Sequence, residues 1–285
     1  MNRDQIIERE TRWAKRVGYA AIAIVPLYIG SIILDPQGGA VPLAGLDTER
    51  FVAIDANSGG LLLSALARSL AFALMTVPLL YVFRAAQARS PRVSSPMIGF
   101  VFIGPILLAA QGLISWAAQV QVASDFVSRL GPGGDIYTLL DGLIDDSTMF
   151  DVAANLLFPA ILGLIVAMVY VPLQAMRVGL MSRFFSTLGM ALGASTLFIV
   201  PSLSLLALTL WFGWLGFTII GRAPQGRPPA WDAGEAVPWP KPGEEPAEQK
   251  GAAVVEGDAA EVFEQPHDHS ARRERAKKRK RKRRQ

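Results

Sequence analysis

Arg68, inside the run LLLSALARSL at 61–70, is the residue of this chain best placed to do chemistry in an apolar setting. A guanidinium near the middle of a membrane-spanning helix costs about 2.5–3.5 kcal/mol on insertion scales, so it seeks carboxylates and carbonyl oxygens. Asp151 and Asn155, and Gln111 or Gln119 in the third stretch, occupy outer halves of other apolar stretches. With Arg68 they could form an intramembrane polar cluster that binds a solute or relays an ion. The plainer reading is a snorkelling arginine or a structural Arg–carboxylate pair that fixes helix packing. Asp151 has a further explanation at the start of its helix, where the helix dipole favours negative charge.

Other chemistries are narrowed by what the chain lacks. It has no cysteine, which removes thiolate nucleophiles, Cys-ligated zinc and iron–sulfur clusters. Its two histidines, His267 and His269, lie in the polar C-terminal region, away from any apolar stretch that could house haem or a metal. No catalytic residues, cofactor or metal site are therefore assigned, and a non-catalytic protein is expected. The second concentration of reactive charge is terminal: Arg272, Arg273, Lys277, Lys278, Arg279, Lys280, Arg281, Lys282, Arg283 and Arg284. Such a cluster attracts anionic lipid headgroups or nucleic acid by the same electrostatics. A membrane tether and the lack of interleaved aromatic residues favour lipid over nucleic acid.

The elements that must position these residues are apolar and long. Hydrophobic residues make up 51% of the 285 and charged ones 18%, and the apolar content is concentrated between Val17 and Gly221. A helix needs about 20 apolar residues to cross roughly 30 Å of hydrocarbon. Spans are expected at about 17–34, 61–83, 97–120, 152–173, 184–200 and 204–221. The last two come from one apolar run at 186–220, which would be about 52 Å long as a single helix. Pro201-Ser-Leu-Ser204 offers a turn in its middle, so two helices are expected.

Basic residues give the orientation, because connections retained in the cytoplasm are enriched in Lys and Arg. The N-terminal segment carries Arg3, Arg9, Arg12, Lys15 and Arg16. Arg84, Arg89 and Arg92 lie in the expected 84–96 connection, and Arg177 and Arg183 in the expected 174–183 connection. The opposite connections hold only Arg50 and Arg129. Both termini are thus expected in the cytoplasm, with an even number of spans in a plasma membrane. The segment after Asp47, with Phe51 and Ile54, and the segment with Ile136, Leu139, Leu140, Leu143 and Ile144 predict short helices at the outer interface, as lid and spacer.

From Arg222 the composition shifts to Pro, Gly, Ala and Glu, which predicts a disordered arm. That arm is charge-segregated: residues 228–270 hold ten acidic and two basic side chains, and residues 271–285 hold eleven basic and one acidic. The expected organisation is a cytoplasmic segment at 1–16, a six-helix transmembrane bundle at 17–221 and a cytoplasmic tail at 222–285.

Three stretches carry a likeness: LYVFRAAQAR at 80–89, QAMRVGLMSRFFSTLGMALG at 174–193 and GRAPQGRPPAW at 221–231. They resemble uncharacterised six-span membrane proteins of actinobacteria. The resemblance implies an all-helical bundle in a bacterial plasma membrane and supplies no activity or catalytic residue. A membrane module with an electrostatically interacting tail is the expected function; the alternative is a small solute or ion transporter built around Arg68.

Overall fold

Capping residues start the helices where the apolar runs begin. In the computed structural model, which describes residues 2–35, 48–131, 135–197, 201–224 and 226–239, all regular structure is helical. Asn2 and Gln5 form a capping box that opens α1, Arg3–Leu34. After the short α2, Thr48–Ala56, the Asn57 side chain accepts from the Gly60 N–H to open α3, Ser58–Arg89. A 3-10 turn, Ser95–Met97, leads into α4, Ile98–Arg129, and Asp135 caps α5, Ile136–Asp145. Ser147 caps α6, Thr148–Arg177, and Ser182 caps α7, Arg183–Ser195. The chain continues through α8, Pro201–Ile220, and the single turn α9, Pro229–Ala233.

Among the described residues, five helices are long and apolar enough to cross a membrane: α1, α3, the 3-10 turn together with α4, α6, and Leu203–Ile220 within α8. The expected division of 186–220 into two helices is present, since α7 ends at Ser195 and α8 starts at Pro201. The span expected at 184–200 is shorter than predicted. With 13 residues α7 measures about 20 Å against roughly 30 Å of hydrocarbon. Its last turn is drawn closed by hydroxyls: Ser195 Oγ donates to the Leu192 carbonyl at 2.8 Å and Thr196 Oγ1 to that of Gly193 at 2.7 Å.

Neighbouring long helices run antiparallel. Ser64 on α3 bonds the Ser31 carbonyl near one end of α1, and Arg89 bonds Glu10 near the other. Gly104 on α4 meets the backbone of Gly163 and Leu164 on α6 so closely that a Cβ at Gly104 would overlap Leu164. Gly18 on α1 lies against Gly216 on α8 in the same manner. Gly193 on α7 packs against Met168 of α6, and Gly189 against the Trp211 ring of α8. Gly189 and Gly193, four residues apart on α7, thus both serve packing within the chain. Ile24, Met75, Leu79, Phe83, Leu164, Met168, Leu208 and Phe212 fill the centre of the bundle.

A second, smaller core lies at the end of the bundle remote from the N-terminus. At 32 residues α4 is about 48 Å long, well over the hydrocarbon thickness, so its last turns project. Phe51 and Ile54 of α2 and Leu140 and Leu143 of α5 close over Val122, Ala123 and Phe126 of α4. The two short helices expected from the spacing of their apolar residues are therefore present and docked. Arg50 of α2 donates to Gln119 of α4 at 3.0 Å, and Gln119 in turn donates to Ser115.

The folded chain also extends further than the composition change at Arg222 suggests. Ala230 and Trp231 are buried against the end of the bundle that carries the N-terminus. The terminal basic cluster, Arg272 to Arg284 in the sequence, lies outside the described residues, as do all residues from 240 onward.

Candidate functional site

Arg68 has partners, but they come from α1 rather than α6. Its Nε donates to Ser31 Oγ and its Nη2 to Asp35 Oδ2, both at 3.5 Å, and Asp35 is the C-cap of α1. The Arg68 side chain keeps 30% of its exposure, so the contact is a partly solvated Arg–carboxylate pair at a helix end. Asp151 and Asn155 are exposed on the first turns of α6, and Gln111 is half-buried on α4. Arg68 is bonded to none of these three in the described structure. The four residues Arg68, Gln111, Asp151 and Asn155 are thus not drawn into one hydrogen-bonded cluster. Asp35 escapes a search by span position because it follows the first apolar run instead of lying within one.

The most extensively bonded charge sits at the opposite end, on Arg89 at the last turn of α3. Its guanidinium makes five bonds, one for each N–H. Nη1 donates to Glu10 Oε1 at 2.5 Å and to the Ala85 carbonyl at 2.9 Å. Nη2 donates to Glu10 Oε2 at 2.8 Å and to the Ala230 carbonyl at 2.9 Å, and Nε donates to the same Ala230 carbonyl at 3.1 Å. The side chains are 0% and 4% exposed for Arg89 and Glu10, so this is a buried, two-pronged ion pair.

Trp231 completes the arrangement. Its ring stacks on Tyr81 at 5.4 Å and 11°, and the guanidinium carbons of Arg227 and Arg89 lie 4.9 Å and 5.6 Å from a Trp231 ring centroid. The indole N–H donates to the Leu180 carbonyl at 2.9 Å, and Tyr81 Oη donates to the Glu10 carbonyl at 2.9 Å. Further along, the Val237 N–H bonds the Val178 carbonyl at 3.1 Å and Trp239 Nε1 that of Met181 at 2.7 Å. Gly179 makes this approach possible: its φ is +80°, and a Cβ there would overlap the Val237 carbonyl oxygen. Four segments, from α1, α3, the 178–181 turn and the stretch after α8, are tied together in this clasp.

Neither Glu10 nor Trp231 was singled out by residue type. The available signal was positional: Ile6, Glu10, Ala14, Val17, Ala21 and Ile24 form one buried stripe on α1, and Glu10 is its only acid. A carboxylate on such a stripe requires a buried cation, and Arg89 is that cation.

Chemically, the clasp binds chain to chain, since every N–H of Arg89 and both Glu10 oxygens are already used. Among the described residues no group of three or more His, Cys, Asp and Glu side chains comes together to hold a metal. Compared with known proteins, the chain matches no family model, no curated protein and no solved structure.

Proposed function

We propose that this protein is a non-catalytic, multi-pass module of the bacterial plasma membrane, whose basic C-terminal arm engages anionic lipid headgroups at the cytoplasmic face. The observation that carries the reading is the clasp. By bonding Glu10, Arg89 and Ala230 together it holds the beginning of the arm at the same end of the bundle as the basic N-terminal segment. The excess of Lys and Arg in the connections of that end supports a cytoplasmic orientation. In this reading the chain belongs with the six-span actinobacterial proteins that its 174–193 stretch resembles, with α7 as the short sixth pass.

Each basic residue near an anionic surface contributes about 1 kcal/mol, an attraction that salt weakens. A peptide of residues 271–285 is expected to bind vesicles containing phosphatidylglycerol and to release from them as salt is raised. Equal binding to neutral phosphatidylcholine vesicles would defeat the proposal. The alternative, a solute or ion transporter using Arg68, Gln111, Asp151 and Asn155, draws less support, because Arg68 is paired with Asp35 and the two α6 residues are exposed.

A further inference from the structure

The face of α1 opposite its buried stripe changes character near Tyr19. Glu8, Arg12, Lys15, Arg16 and Tyr19 recur at spacings of three and four residues, and all are exposed. Trp13 lies beside them, and the guanidinium carbon of Arg16 sits 5.3 Å from its ring centroid. Beyond Tyr19 the exposed residues of the same face are apolar: Pro26, Ile33 and Leu34.

Depth places the change. From Val17 to Leu34, α1 carries no charged side chain and covers about 27 Å, close to the hydrocarbon thickness. Lys15 and Arg16 immediately precede that stretch, where hydrocarbon gives way to headgroups. Side chains on a helix lean toward its N-terminus, which here is away from the hydrocarbon, so both cations are carried to headgroup level. Trp13 and Tyr19 flank them, and rings with one apolar and one polar end favour the same depth.

Charge decides what this face meets. Glu8 is paired with Arg12 at 2.7 Å, and Glu10 is turned inward to Arg89. Asp4, the remaining acid of this half of α1, lies about 16 Å along the axis from Lys15. Among the described residues, Lys15 and Arg16 are in no ion pair. Two adjacent cations are thus left uncompensated at the depth of lipid phosphates, with the Arg16 guanidinium steadied against an indole ring.

We infer that this face of α1 binds the headgroup of an anionic phospholipid, with Lys15 and Arg16 holding phosphate oxygens and Trp13 and Tyr19 packing beside the glycerol region. The inference rests on the bundle spanning a membrane and not on any role of the tail.

The test uses the full-length protein reconstituted in phosphatidylcholine vesicles. The chain has no cysteine of its own, so a single Ala20→Cys, one turn beyond Arg16, carries a bimane label into this face. Quenching by phosphatidylglycerol with brominated chains is compared with quenching by phosphatidylcholine bearing the same chains. Phosphatidylglycerol is expected to be favoured roughly fivefold at this label, the effect of about one basic residue near an anionic surface. Lys15→Gln combined with Arg16→Gln should abolish the preference, and Lys15→Arg should retain it. The same label at Ile33→Cys, exposed at the far end of α1, should show no preference.

Equal quenching by the two lipids at Ala20→Cys would overturn the inference, as would a preference that survives removal of both cations. An equal preference at Ile33→Cys would overturn its assignment to this end of α1. Loss of the preference on adding glycerol 3-phosphate at constant ionic strength would assign the face to a soluble phosphate instead of a lipid. All variants retain the tail, so failure here is distinguishable from failure of the tail peptide to bind vesicles.

Discussion

Two arginines of this chain lie among apolar residues, and their surroundings give them opposite weights. Arg89 is fully buried, with every donor satisfied and its charge matched by Glu10. Removing one partner of such a pair strands the other charge, at a cost of roughly 3–5 kcal/mol. Glu10→Gln is therefore expected to lower stability by that amount, read from denaturant or thermal unfolding in detergent. Replacing both residues by leucine should cost less than the two single changes summed, because neither charge is then left alone. Arg68 makes its two polar contacts at 3.5 Å and keeps 30% of its side-chain exposure. A pair of that kind contributes roughly 0–1 kcal/mol. Arg68→Leu is accordingly expected to unfold within about 1 kcal/mol of the parent protein. Arg68 was conspicuous in the sequence because a lone charge in a leucine run is visible one residue at a time. The Glu10–Arg89 pair was not, because its members are 79 positions apart and each passes as part of a basic or amphipathic helix end.

At the scale of elements, what was legible depended on whether the signal is local. The α2 and α5 helices were readable because apolar residues at helical spacing announce both the helix and the face it buries. The length of α7 was not, since residues 186–220 are apolar throughout and the end of the helix is set by local hydroxyl–carbonyl bonds at Ser195 and Thr196. The folded stretch at 226–239 was hidden by its composition. Pro and Gly read as unstructured, yet its order comes from Trp231 and Trp239 docking on carbonyls of the 180–181 turn, a tertiary effect without periodicity. The stretches 80–89, 174–193 and 221–231 each supply part of this clasp: Tyr81 and Arg89, Leu180, and Trp231.

The remote cap offers a test of an element-level claim. Phe126 is fully buried between α2 and α5, and truncating a buried Phe to Ala costs about 3–5 kcal/mol. Phe126→Ala should therefore speed amide exchange in α2 and α5 while leaving the middle of α3 protected. Acid should loosen the same cap at one point. Asp135 is held below the usual carboxylate range by the Thr138 hydroxyl and then by the backbone N–H groups of Thr138 and Tyr137. Its folded form thus prefers the charged carboxylate. That contribution is complete above the unfolded pKa and is lost as pH falls through the lowered folded value. Amide exchange at Tyr137 and Thr138 is expected to accelerate in that acid window, and Asp135→Asn, which caps without titrating, should flatten the response.

For the whole molecule, the clasp constrains how often the chain crosses. Arg89 bonds both Glu10, near the start of α1, and Ala230, after α8, so these two points lie at one end of the bundle. The five long helices alone would leave them at opposite ends. We propose that α7, packed antiparallel against Met168 of α6 and Trp211 of α8, provides one further return. At about 20 Å, α7 is shorter than the hydrocarbon thickness. A chain without native cysteine allows this to be read directly by single-cysteine labelling. With a membrane-impermeant maleimide on intact cells, Asp146→Cys, at the exposed start of the α6 segment, is expected to react and Arg92→Cys to remain unlabelled until the membrane is permeabilised. Leu197→Cys, two residues beyond α7 and half-exposed, is expected to label with Asp146→Cys and not with Arg92→Cys. Labelling of Leu197→Cys only after permeabilisation would mean that α7 turns back within the membrane, and the proposed even topology would then fail.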